Sequence, residues 1–250
     1  MKFSKKIYTC VISLIINLSL IAQVPDFLFN SSQENSYSCS DIALIHHVQS
    51  SIAKAERVDS KLNNAILDIE GMSGNKFRAF LNNVCSFPHT KYLEIGCWKG
   101  STFISALYCN ELNIEYAVGI DNWSEYSGPL QEFNLNRNFF LSGFNHYELI
   151  FEDAFSLSCK SKIKQKITTY FYDGNHNLSS QEKAFTFYND MFEDTFIAIV
   201  DDWNWDQVRE GTFNAFKDLN YKILFEARMV GGVSDRLGWW NGAYIAVIRK

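Results

Sequence analysis

From Pro88 onward, short apolar runs alternate with helical stretches, and no other feature of the sequence narrows the fold as much. The runs fall at 92–95, 116–120, 147–151, 167–172, 196–200, 221–225 and 244–248, with helical spacing at 102–108, 180–191 and 205–219. Alternation at these lengths builds βα units around a mostly parallel sheet. The expected fold class is therefore α/β, a doubly wound sheet of seven strands. The connection at 229–241 is Gly-rich and has no helical pattern. A parallel pair needs a crossover, so the last strand is expected to run antiparallel.

The segments before Pro88 read differently. Lys2, Lys5 and Lys6 precede an apolar run at 7–22, and no acid occurs before Asp26. A basic start and a short apolar core have the shape of a signal peptide. The run has 16 residues, where a membrane span needs about 20. Residues 1–23 are thus expected to be a signal peptide or membrane anchor on an exported or membrane-anchored protein. The alternative is a buried or interfacial helix in a cytoplasmic one. A polar, Ser- and Asn-rich tether follows at 24–40. Apolar residues at helical spacing (Ala43, Ile45, Val48, Ile52, Ala55, Val58, Leu62, Ile66) then give one or two amphipathic helices over 41–67, and another covers 75–84. These helices are expected to cover one edge of the sheet.

In an open α/β sheet, ligands bind beyond the carboxyl ends of the strands. There this sequence places acids. The first strand runs into Glu94-Ile95-Gly96-Cys97-Trp98-Lys99-Gly100, the second ends at Asp121, the third at Glu152-Asp153, the fourth at Asp173-Gly174-Asn175-His176 and the fifth at Asp201-Asp202. Gly96 and Gly100 bracket a turn into a helix, where glycine lets a ligand approach the backbone. The Gly-x-x-x-Gly spacing is not that of a dinucleotide site, and Lys99 precedes the second glycine, so it is not a P-loop lysine. Asp121 can accept from ribose hydroxyls, and Glu152 or Asp153 can meet an adenine amino group. Any one of these acids also reads as a cap or turn residue; five at successive strand ends favour a site.

From Leu93 to Arg249 the chain resembles the class I S-adenosylmethionine-dependent methyltransferases, which have a Rossmann-like sheet. The residues 94–100 are similar to that family's first motif, and Asp121 to its ribose-binding acid. Within it the sequence looks closest to macrocin-type sugar O-methyltransferases and cephalosporin hydroxylase-type proteins. The marks are Leu93-Glu94-Ile95-Gly96, Gly119-Ile120-Asp121-Asn122-Trp123, Asp173-Gly174-Asn175-His176 and Val200-Asp201-Asp202-Trp203. The resemblance implies a methyltransferase-like domain at 89–250 after a tether and helical segment at 24–88. Its cofactor is S-adenosylmethionine, and its contacts are Glu94, Gly96, Gly100, Asp121 and Asp153. Its acceptor is a small molecule or sugar.

A hydroxyl acceptor must also lose a proton, which a base or a divalent cation assists. Asp173, Asp201 and Asp202 are hard oxygen ligands suited to Mg²⁺. His176, three residues after Asp173, is placed to act as base, and the resemblance implies the same roles. Some relatives carry Glu at the position of Asp201; the shorter side chain favours Asp202 as ligand. Trp123 and Trp203 are candidate platforms for adenine or an acceptor sugar, and Trp239-Trp240 a candidate pocket wall. Arg228 and Arg236 suit an anionic acceptor. His46 and His47 lack a spaced partner and are expected on the surface or in packing.

Composition removes other classes. With 23 basic and 28 acidic residues the net charge is −5. A nucleic-acid partner gripped by bulk positive charge is excluded. Six cysteines show no C-x-x-C pair, so neither a zinc ribbon nor a thioredoxin-type motif is expected. Homo-oligomerisation has no readable signal. Two other functions remain open at this level. One is an exported binding protein that keeps the fold without catalysis. The other is a hydroxylase or hydrolase that uses the metal alone.

Overall fold

The computed structural model describes residues 37–250; the expected leader and most of the tether lie outside them. Seven strands form one sheet: β1 Thr90–Ile95, β2 Ile114–Ile120, β3 Tyr147–Ile150, β4 Ile167–Tyr172, β5 Phe192–Asp201, β6 Lys222–Met229 and β7 Ala243–Arg249. Their order is β3-β2-β1-β4-β5-β7-β6. The pairs from β3 to β5 are parallel, and β7 runs antiparallel to both β5 and β6. This is the expected doubly wound, Rossmann-like sheet with an antiparallel last strand.

The helices are α1 Cys39–Ala55, α2 Asn64–Leu67, α3 Asn75–Val84, α4 Ser101–Leu107, α5 Leu130–Phe140, α6 Leu157–Ser161, α7 Leu178–Thr186 and α8 Asp206–Asp218. Strand alternation sorts the sheet's side chains into two cores. Tyr92, Phe171, Ile197, Ile199, Ile245 and Val247 face one side and pack with α1, α3 and α4. Leu93, Tyr170, Tyr172, Ala198, Val200 and Tyr244 face the other and pack with α7 and α8. The N-terminal helices therefore cover a face of the sheet, not an edge. The cause is the stripe Ile45, Val48, Ile52 and Ala55 on α1, fully buried in the first core. Each such aliphatic side chain contributes roughly 1.5–3 kcal/mol when buried.

The helical pattern over 41–67 breaks in two. Glu56 ends α1 and Val58 turns left-handed at φ 53°. At its other end α1 begins inside the expected tether: Ser38 caps it in a reciprocal box with Asp41. Asp41 is buried and meets Arg249 of β7, which ties this helix to the sheet. Among the described residues no helix is long and apolar enough to cross a membrane.

Candidate functional site

The chain winds outward from β1 to β3 and then returns to β4 on the other side, so the switch point lies between β1 and β4. Crevices form at such points. Here the Asp173 amide donates to the Ile95 carbonyl at 2.9 Å. Gly96 has φ +91°, and a Cβ there would sit 2.0 Å from the Asp173 carbonyl oxygen. Only glycine fits that approach. Gly100, at φ +88°, starts α4 without a side-chain cap.

The acids on the β1–β3 side are held by backbone. Asp121 Oδ2 accepts from the amides of Cys97 and Trp98, both at 2.9 Å, and Oδ1 from that of Trp123 at 2.7 Å. One carboxylate thus shapes both the 96–100 turn and the start of the next loop. Of its roughly four lone-pair positions three are used, which leaves one on Oδ1 for a ligand hydroxyl. Asp153 is exposed, with Oδ1 accepting from the Phe155 amide at 2.9 Å. Glu152 is occupied by Lys162, Ser156 and Ser158. Phe151, 52% exposed, packs on Trp123 with ring centroids 4.9 Å apart. An exposed carboxylate, an apolar ring and a carboxylate with a spare lone pair fit a nucleoside.

Glu94 lies behind the turn, fully buried. Tyr92 and Thr102 donate to its two oxygens at 2.5 and 2.6 Å. Burial pushes its carboxyl up to about 8 against the pull of those two bonds, and Asp121 adds to the rise.

The acids on the β4–β5 side have few donors: Asp201 accepts from the Asp202 amide, and Asp202 from Asn241. Asp173, His176 and Asp201 each offer a ligand atom within 4.8 Å of the others. Burial, then the charges of Asp201 and Asp202, raises the Asp173 carboxyl well above the carboxylate range. Burial, then Asp202, pushes Asp201 up to about 8, and the two side chains are hydrogen-bonded to each other. His176 Nε2 is 3.7 Å from Asp173 Oδ1 and 3.5 Å from Asp202 Oδ2. It is buried without a hydrogen-bond partner among the described residues. Burial lowers the imidazole pKa, with Asp202 pulling the other way. One buried and one half-buried carboxyl are oxygen donors that a divalent cation satisfies, and the orphaned imidazole nitrogen beside them is left to take a proton.

Both members of the acidic pair lie at this cluster. Asp201, the last residue of β5, faces Asp173. Asp202 leaves the strand at φ 53°, and its Oδ1 accepts from Asn241 at 2.7 Å. Nor do these acids cap helices. Asn177 caps α7, and the N-cap of α8 is Trp205, which makes no side-chain cap bond.

The aromatic assignments shift as well. Trp203 is buried and stacks on Tyr244 at 4.3 Å, and Trp123 is buried against Phe133. Trp239 packs on Phe77 and Phe80 and donates to Glu56. Trp240 is half-buried. Trp205 is the tryptophan at the acid cluster, its ring centroid 5.3 Å from that of His176. Arg228 pairs with Glu226, and Arg236 is exposed. His46 is exposed, and His47 bonds the Val84 carbonyl and packs on Phe87. A cavity of about 610 Å³ lies at the opposite, amino end of the sheet, beside Thr90, Thr168 and Thr195. None of the acids at the carboxyl edge lines it, and the convergent chemistry, not this hollow, marks the site.

No protein-family model matches the chain, and no curated protein matches it. Solved structures do. An O-methyltransferase from Bacillus cereus in complex with S-adenosylhomocysteine aligns at TM-score 0.53, with 14% identity over 83% of this chain and 97% of that one. An S-adenosylhomocysteine-bound methyltransferase from Podospora anserina aligns at 0.51, with 13% identity over 88% and 96%. The N-methyltransferase NodS from Bradyrhizobium japonicum, also with S-adenosylhomocysteine, aligns at 0.50, with 12% identity over 80% and 98%. At these identities the likeness establishes the fold: this chain has the Rossmann-like methyltransferase fold.

Proposed function

We propose that this protein is an S-adenosylmethionine-dependent methyltransferase. It acts on an oxygen of a small molecule or sugar, with a divalent cation assisting, as in the macrocin-type group its motifs resemble. The observation that carries the reading is the division of the carboxyl edge into two halves that meet at the switch point. The β1–β3 half presents nucleoside-binding groups: the 96–100 turn, Asp121, Asp153 and Phe151. The β4–β5 half presents Asp173, Asp201 and His176.

S-adenosylmethionine supplies an electrophilic methyl group on a sulfonium. Transfer is an in-line displacement, so the protein must hold donor and acceptor aligned and dry. Asp121 braces the turn and offers its spare lone pair to a ribose hydroxyl. Asp173 and Asp201 would hold the cation, which would supply Lewis-acid polarisation of the acceptor hydroxyl. His176 takes the hydroxyl proton at Nε2. Its lowered pKa keeps it neutral, hence competent as a base, near neutral pH.

The test is a screen of hydroxylated acceptors for release of S-adenosylhomocysteine from S-adenosylmethionine. Turnover with one of them, lost in His176→Ala while Mg²⁺ affinity is kept, is the expected result. Failure of the protein to bind S-adenosylmethionine would overturn the reading. Cation binding without cofactor binding would instead point to a hydrolase or hydroxylase on the same scaffold.

A further inference from the structure

The acid cluster has an aromatic neighbour that local structure does not need. Trp205 is the N-cap of α8, where Ser, Thr, Asp or Asn would satisfy a free helix amide. Trp205 makes no side-chain cap bond. Its ring is 41% exposed. Trp123, Trp203 and Trp239 are buried, and Trp98 and Trp240 are half-buried. A residue that gives up a cap and leaves a large apolar face wet breaks a local rule, and such breaks concentrate at functional positions.

Its surroundings say what the face is for. The Trp205 and His176 rings stand at 73° to each other, so they form a corner. The Trp205 amide donates to the Asp202 carbonyl, which fixes the ring beside the acids. Its neighbour Asn204 donates to the Gly231 carbonyl at 2.8 Å. That bond brings up the β6–β7 connection, where Val230 and Val233 are 84% and 89% exposed. An apolar plane thus borders a proton acceptor and two carboxyls.

The structure assigns Trp205 as the acceptor-binding platform of the methyltransferase proposed above, on whose correctness this inference rests. The acceptor is a six-membered ring with an apolar face for Trp205 and a hydroxyl at its edge for His176. A sugar and an aromatic diol share that chemistry, since both stack on an indole.

The experiment titrates the full-length protein, saturated with S-adenosylhomocysteine and Mg²⁺, with nitrocatechol and separately with a methyl glucoside, by calorimetry. One probe binds the wild type, and its identity assigns the acceptor as aromatic diol or sugar. Trp205→Ala weakens that binding about ten-fold, the loss of one good ring contact. Trp205→Phe restores most of it. S-adenosylhomocysteine affinity is the same in all variants. Trp205→Ser also loses the probe, yet gains a helix cap, so its melting temperature does not fall below that of wild type. Equal probe affinity in wild type and Trp205→Ala would overturn the assignment. So would binding of neither probe by a protein that does bind S-adenosylhomocysteine. No S-adenosylhomocysteine binding would remove the methyltransferase reading itself, and the platform with it.

Discussion

Asp121 and Asp201 are the same residue type at the carboxyl ends of β2 and β5, on either side of the switch point and in opposite environments. Asp121 is half-buried and accepts three backbone amides. Asp201 is buried, and faces a second carboxyl and, beyond it, a third. The first carboxylate is satisfied by the fold and gives the fold its shape. The second has one backbone donor, the Asp202 amide, against two neighbouring carboxyls, and needs a proton or a cation. An acid that organises structure and an acid held in reserve for chemistry are told apart by their donors, not by position in a motif.

Mutations on the two sides should therefore have opposite signs. Asp121→Ala strands three amides and carries the largest effect: hydrogen bonds to a charged group are worth about 1.5–3 kcal/mol each when well formed. Partial exposure reduces this, to a loss of roughly 3 kcal/mol in urea unfolding. Asp201→Asn removes a buried charge instead. The cation-free variant at pH 8.5 should be more stable than wild type, by roughly 2 kcal/mol. If both substitutions destabilise alike, the contrast fails.

The pH dependence follows from the same contrast. Asp201 and Glu94 are both pushed up to about 8, and Asp173 upward as well. An acid whose folded pKa is raised binds more protons folded than unfolded. Stability is then greatest below its unfolded value and falls as pH rises toward the folded one. Cation-free protein should lose melting temperature steadily between about pH 4.5 and pH 8. Saturating Mg²⁺ should flatten the part that belongs to Asp173 and Asp201. Glu94→Gln gives the smallest change. It removes the share of the slope set behind the 96–100 turn, but a carboxamide cannot accept from both Tyr92 and Thr102, and the lost hydrogen bond offsets the gain. A slope that rises through this range would contradict these directions.

Much of this was legible in the sequence. The β-strand runs stood out because central parallel strands are buried on both faces and read as unbroken apolar stretches. The antiparallel β7 followed from a connection too irregular to be a crossover. Helix α5, between β2 and β3, was hidden because it buries only Phe133 and shows little periodicity. The break after α1 was hidden because a left-handed Val58 leaves no pattern. At the site the residue types were legible and their partners were not. Nothing in the sequence says that Asp121 turns its oxygens to amides of its own and a neighbouring loop. Nor does it say that Asp202 follows Asn241, 39 residues on. Trp203 and Trp205 are two positions apart, yet one stacks in the core and the other stands at the acids. Only the missing cap at Trp205 could have raised that suspicion.

The most direct test is a paired titration of the full-length protein with S-adenosylmethionine and with Mg²⁺, on wild type, Asp121→Ala and Asp201→Asn. The account predicts a double dissociation: Asp121→Ala loses the nucleoside and keeps the cation, and Asp201→Asn keeps the nucleoside and loses the cation. Loss of both ligands in either variant, or of neither in both, would contradict the division of the carboxyl edge on which the proposed function stands.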